Sequence, residues 1–196
     1  MRATTCLLLM LLALLSACSV QRPAFHALDI SDDKDYGSEL RLRDHDGRPR
    51  SLADFRGKVV TVFFGYLNCP DFCPTHLARQ KAVLQKLGPD AARVQTLFVS
   101  VDPERDTPER IKAYVTAFDP SFIGLTGSAE EIAVAARQFH ASYQKVPNPA
   151  TPQAYSIDHS TLSMAFDPQG KLRLAIRHAA SVDEVSDDLK LLLAGR

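Results

Sequence analysis

Neither sign of charge is in excess: 23 lysines and arginines stand against 23 aspartates and glutamates. Such a balance supplies no electrostatic reason to seek nucleic acid, and no nucleic-acid partner is expected. Internal repeats and low-complexity blocks are also missing, which argues against solenoid and array architectures.

No apolar run is long enough to cross a bilayer as a helix. The most apolar stretch, Leu7 to Leu15, is too short and follows the positive start at Arg2. That pattern reads as an export signal over residues 1–18. Leu15-Ser16-Ala17-Cys18 resembles a bacterial lipobox, in which the cysteine is diacylated and becomes the new N-terminus. Lipid on Cys18 would anchor the chain to a bacterial membrane on the periplasmic face without spanning it. The alternative is an ordinary signal peptide with an incidental cysteine.

Cysteine is scarce. Of the four, Cys6 leaves with the signal and Cys18 carries lipid, so Cys69 and Cys73 are the thiols of the mature chain. With no third mature cysteine, a closed four-ligand zinc site is not expected. An exported compartment tends to oxidise a thiol pair. The function must therefore include something that keeps or makes the pair reduced.

The two thiols sit in the most structured-looking part of the sequence. Val59, Val60, Val62, Phe63 and Phe64 form a run suited to a central strand covered on both faces. Gly65 and Asn68 loosen the chain after it, and Pro74 marks a helix start, placing Cys73 at or near the cap and Cys69 in the loop before it. Leu77, Val83, Leu84 and Leu87 give that helix its apolar face. A helix N-terminus favours thiolate over thiol, and a thiolate is both a nucleophile for disulfide exchange and a soft metal ligand. Two structural cysteines, or a plain stabilising disulfide, are the bland alternative.

Residues 19–35 read as a flexible tether and 36–196 as one domain. Glu39 to Arg43 alternates as a half-exposed strand does, and Asp46-Gly47 turns it. Leu52 and Phe55 are expected to pack beneath Gly57-Lys58. Val94 to Val101 forms a second apolar strand. Pro108 opens a helix with the face Ile111, Tyr114, Val115 and Phe118. Ser128 to Glu131 is a capping box before Ile132, Ala135, Ala136 and Phe139. From Ala141 to Asp158 the pattern fails at Pro147, Pro149 and Pro152, which predicts a long irregular loop with short strands at most around Tyr143 and Tyr155. Thr161–Phe166 and Lys171–Arg177 make a hairpin. Ser181 to Glu184 caps a last helix docked by Val182, Val185, Leu189 and Leu192. The fold class is α/β: a thioredoxin-like fold with an inserted helix and a long loop before the C-terminal hairpin. The thiols sit at the carboxyl end of a strand, where such folds place ligands.

With this order in place, the chain resembles the Sco/SenC family over roughly residues 36–193. Phe64 to Pro74 matches the signature with its spaced cysteines, Val99 to Pro108 a second block, Phe122 to Gly127 a third, and Asp158-His159-Ser160 a fourth. Asn68 departs from the family's more usual threonine, serine or histidine. The resemblance implies a copper-binding protein, holding Cu(I), Cu(II) or both through Cys69, Cys73 and His159. It implies a metallochaperone or assembly factor for the CuA centre of cytochrome c oxidase. The expected partner is the copper-bearing oxidase subunit or another copper protein.

The residues agree in part without the family. Of six histidines, His159 precedes the hairpin strand, in a loop that touches the thiol turn in thioredoxin-like folds, where a cis-proline usually stands and this chain has none. His76, on the helix of Cys73, is a local rival. Two thiolates and an imidazole suit three-coordinate copper(I). Asp71 and Asp158 are candidates to orient the ligands. Glu104, Arg105 and Asp106 read either as a partner-facing loop or as solvated helix-capping charges. A thiol–disulfide reductase acting on the copper acceptor's cysteines, or a redox or copper sensor, uses the same pair. A peroxidase is disfavoured by its different local motifs. A chaperone is therefore expected rather than an enzyme, with reductase activity left open.

Overall fold

A computed structural model describes residues 24–33, 36, 40–148 and 151–196. The expected signal, Cys18 and the first part of the tether lie outside the described residues. Strands β1 (Leu28–Asp29), β2 (Leu42–Asp44), β3 (Pro49–Arg50), β4 (Val59–Gly65), β5 (Val94–Ser100), β6 (Ile123–Thr126), β9 (Ser163–Phe166) and β10 (Leu172–Ile176) form one sheet, in the order β1-β10-β9-β4-β5-β6-β2-β3. The remaining two, β7 (Tyr143–Asn148) and β8 (Thr151–His159), pair only with each other. The α-helices among the described residues are α1 (Phe72–Leu87), α2 (Pro108–Phe118), α3 (Ala129–Gln138) and α4 (Val182–Leu193).

Every residue of β4 and β5 is buried. The two run parallel in the centre of the sheet, with Phe63 opposite Phe98 and Gly65 opposite Ser100. Register partners share a face, so the aromatic contacts sort the helices. Phe63 stacks on His76 of α1 and Phe98 meets Tyr114 of α2, which puts both helices on one side. Phe64 points to the other side and meets Phe139 at the end of α3, which in turn meets Phe166. Each of these phenylalanines is at most 3 % exposed, a burial worth about 1.5–3 kcal/mol per side chain.

The helix starts follow the sequence signals. Thr107 caps α2 with Pro108 at its first position, and Ser128 and Ser181 make reciprocal capping boxes with Glu131 and Glu184. The apolar faces expected for all four helices turn inward.

Two expectations need correction. In place of an irregular loop from Ala141 to Asp158, β7 and β8 make an antiparallel ribbon: Tyr143 pairs His159 and Pro147 pairs Tyr155, with the register shifting only beyond Pro147. The boundary at residue 36 is also late. Leu28 and Asp29 pair with Ala175 and Leu174, Ile30 is buried, and Asp188 of α4 accepts the N–H groups of His26 and Ala27 at 2.8 Å.

Candidate metal centre

The site is built where β4 ends. Val101 N–H bonds to Gly65 O at 2.8 Å, extending the parallel pairing by one residue, and the chain then leaves the sheet through Tyr66. Cys69 N–H bonds back to Tyr66 O, closing a turn that lifts its sulfur over the start of α1. Asp71 occupies the N-cap position and Phe72 begins the helix, so Cys73 lies near the cap, as expected from Pro74, within the first turn. Its sulfur is tucked against the strand end. A Cβ on Gly65 would sit 2.6 Å from Cys73 Sγ.

The Cys73 N–H donates to Cys69 Sγ at 3.5 Å, and the Asp71 N–H is directed at the same sulfur. Cys69, 8 % exposed, is pulled down to about pKa 4. The main cause is the hydrogen bond from the Cys73 thiol. Burial opposes the shift, while His159 and the two backbone N–H groups reinforce it. Cys73, fully buried, is pushed well up by its bond to Cys69 and by burial. The two shifts run in opposite directions, which favours the negative charge on Cys69, beside the helix N-terminus.

His159 comes from the last position of β8. Its Nε2 lies 3.5 Å from Cys73 Sγ and 3.9 Å from Cys69 Sγ. Nδ1 is 3.0 Å from the Ser160 carbonyl, which can accept an Nδ1–H and so let Nε2 exchange its hydrogen bond to Cys69 for a metal. Phe63 and Tyr66 meet the imidazole edge-to-face at 5.8 and 5.7 Å and hold the ring plane. One donor atom from each of Cys69, Cys73 and His159 falls within 4.8 Å of the others, the one such cluster among the described residues. A trigonal ion with metal–sulfur bonds of about 2.3 Å and a metal–nitrogen bond of about 2.0 Å requires sulfur–nitrogen separations of roughly 3.7 Å. The two observed separations bracket that value.

The rival His76 is elsewhere. It is fully buried, stacked on Phe63 at 4.0 Å, with Nδ1 3.0 Å from an Arg79 nitrogen. Burial holds its pKa well below the usual histidine value. Asp158 is exposed and alternates to the opposite face of β8 from His159, whose Nδ1 is occupied by Ser160; the structure does not bring it to the imidazole. Asp71 contributes through its backbone, and its carboxylate accepts from Thr75 Oγ1 at 3.3 Å rather than from a ligand.

Within the charged run after β5, Glu104 is exposed and pairs with Lys145, whereas Asp106 and the preceding Asp102 are drawn inside. Asp102 is fully buried and Asp106 is 1 % exposed. Asp106 accepts the Leu67 N–H at 3.0 Å, and Asp102 takes both Arg105 Nε at 2.5 Å and the Tyr155 hydroxyl at 2.7 Å. Sequence reading missed this network because its halves are some fifty positions apart. The only local signal is the density of acids between a buried strand and a capped helix.

A sequence profile described as SCO1/SenC matches residues 29–194. The bovine (Bos taurus) protein SCO2 homolog, mitochondrial, is 39 % identical over 158 residues, covering 80 % of this chain and 59 % of the bovine one. The chain spans about three fifths of the length of the mammalian relatives it matches. The structure of Bradyrhizobium japonicum ScoI with copper bound is similar at 36 % identity, with a TM-score of 0.73 over 80 % of this chain and 99 % of that one. BsSco is described as a member of the Sco family of cytochrome c oxidase assembly proteins in which a disulfide switch was identified. It shares the fold at 24 % identity and a TM-score of 0.62, over 88 % of this chain and 99 % of BsSco.

Proposed function

The chain belongs to the SCO1/SenC family, and from that premise we propose that it binds one copper ion through Cys69, Cys73 and His159 and passes it to a copper protein of the respiratory oxidase. The observation that carries the reading is the donor triangle, whose sulfur–nitrogen separations of 3.5 and 3.9 Å already fit a three-coordinate ion. Two soft sulfurs and one imidazole prefer copper(I) and also accept copper(II). Copper is cargo here. The protein's residues supply the charge, the geometry and the exclusion of water. Cys69 offers a thiolate, Cys73 gives up its proton on binding, and the Ser160 carbonyl can take the Nδ1–H so that Nε2 turns to the ion. Cys69 keeps a small exposed fraction where Cys73 has none, and Phe72 at the helix start is exposed, so the partner would approach from the Cys69 side.

Lipid on Cys18 would hold this site at the periplasmic face of a bacterial membrane, next to a membrane-bound acceptor. Among the described residues no helix is long and apolar enough to cross a membrane.

A second reading is favoured by one observation. A Cys69 thiolate at about pKa 4, beside a buried thiol, is also the arrangement of a disulfide reductase. The test is an anaerobic titration of the reduced protein with copper(I) against a competing chelator, with His159→Ala alongside. One tightly held copper, weakened about 10- to 100-fold or more in the variant, is the expected result. Equal binding by both proteins removes His159 from the site and leaves the reductase reading in front.

A further inference from the structure

We propose that the turn from Ser100 to Asp106 is a clamp that fixes the distance between the two thiols and His159 before any metal arrives, with Arg105 and Tyr155 as its positioning residues. The ribbon of β7 and β8 carries His159 yet pairs with no strand of the main sheet. Most of β7 is exposed. Something other than the sheet ladder must therefore hold the imidazole in place.

The turn grips both donor segments at once. It is closed on itself: the N–H groups of Arg105 and Asp106 both bond to Asp102 O, and Ser100 Oγ donates to Asp106 Oδ2 at 2.7 Å. Toward the thiols, Asp106 Oδ2 accepts the N–H of Leu67, two residues before Cys69. Arg110, in the first turn of α2, adds a second thread by bonding to both Asn68 Oδ1 and the Arg105 carbonyl. Toward the histidine, Arg105 Nη1 donates to Tyr155 O at 2.8 Å and its guanidinium lies 3.5 Å from the centre of the Tyr155 ring. The Tyr155 hydroxyl returns to Asp102, which also holds Arg105. The loop of contacts Asp102–Arg105–Tyr155 is thus closed and mostly shielded from water, where such bonds are strong and cooperative. Tyr155 is four residues before His159 on the same strand, so the two side chains share a face and the hold on one sets the other. Lys145 of β7 pairs with Glu104 at 2.6 Å, a weaker exposed tie to the same turn.

The role assigned to copper enters only one of two readouts. In the metal-free reduced protein, Arg105→Met and Tyr155→Phe are compared with wild type by amide hydrogen exchange. Amides of β7 and β8 are expected to exchange about tenfold faster in Arg105→Met, with β4 and β5 unchanged. Tyr155→Phe removes a single hydroxyl, keeps the ring, and gives a smaller increase in the same amides. It decides the matter should Arg105→Met fold poorly. In the second readout, copper(I) affinity falls about tenfold in Arg105→Met, and adding His159→Ala to that variant costs much less than it costs the wild type. Unchanged exchange in the ribbon of both variants overturns the clamp. So does a His159→Ala penalty that is as large with the clamp cut as with it intact. A wild type that binds no copper(I) sinks the copper reading alone, and the exchange result still decides the clamp.

Discussion

Gly65 decides how close Cys73 can come to the end of β4. Its backbone lies in an ordinary extended strand, so the reason for glycine is space. An added Cβ would meet Cys73 Sγ at 2.6 Å and the Phe98 ring at 2.9 Å. Neither neighbour can retreat into solvent, since Cys73 and Phe98 are both fully buried. Gly65→Ala is therefore expected to cost about 1–3 kcal/mol of stability, as overpacking does, and to push one sulfur out of the donor triangle. Chemical denaturation reads the first effect and copper(I) competition the second. A stable variant with full affinity would show that the sulfur has room the geometry denies it. The charge on Cys69 makes a separate prediction. A group whose pKa is depressed to about 4 keeps its reactive form as the pH falls, until that value is reached. Alkylation of the reduced, metal-free protein should stay nearly flat from about pH 8 down to about pH 5 and then fall. An ordinary thiol with a pKa near 8.5 loses about tenfold per pH unit over the same span. Peptide mapping should place the label on Cys69 and not on buried Cys73. An ordinary thiol profile would mean that the helix start and Cys73 do not share the charge in this way.

At the scale of elements, legibility tracked how local the cause was. The starts of α2, α3 and α4 were readable because Pro108, Ser128 and Ser181 act within one turn. β4 and β5 were readable because burial on both faces leaves an unbroken apolar run. The ribbon was not. The prolines of this stretch read as interruptions, while an isolated two-stranded ribbon tolerates Pro147 in β7 and Pro152 in β8 because each strand has one unpaired edge. β1 was missed for a related reason. It has two residues, both exposed, and its place comes from Ala175 and Asp188, over 140 positions away in sequence. The candidate site divides along the same line. Cys69 and Cys73 announce themselves by spacing on a strand-to-helix turn. His159 was reachable only through topology and family resemblance, and the Asp102–Arg105–Tyr155 contacts through neither. Buried acids following a strand look like solvated helix-capping charges until the partner arginine and tyrosine are placed.

For the molecule as a whole, a bound ion ties together segments that the bare chain holds only by side-chain contacts. Metal that binds the folded state and not the unfolded one stabilises by mass action, by about 2.7 kcal/mol when free metal is a hundredfold above the dissociation constant. For a domain of this size each kcal/mol raises the melting temperature by about 2–4 °C. Buffered copper(I) at that excess should therefore raise the midpoint of the reduced protein by roughly 5–10 °C. Residual affinity of unfolded thiols for copper pulls the value toward the lower end. Two controls give the number meaning. Once Cys69 and Cys73 are joined in a disulfide, neither sulfur is a thiolate and the copper-induced rise should vanish. In His159→Ala the thiols remain but the ribbon is no longer tied to the ion, so the rise should shrink without disappearing. A rise of the same size in wild type and His159→Ala would mean that copper rests on the two sulfurs alone. The ribbon would then be scaffold, and its clamp would serve the fold and not the metal.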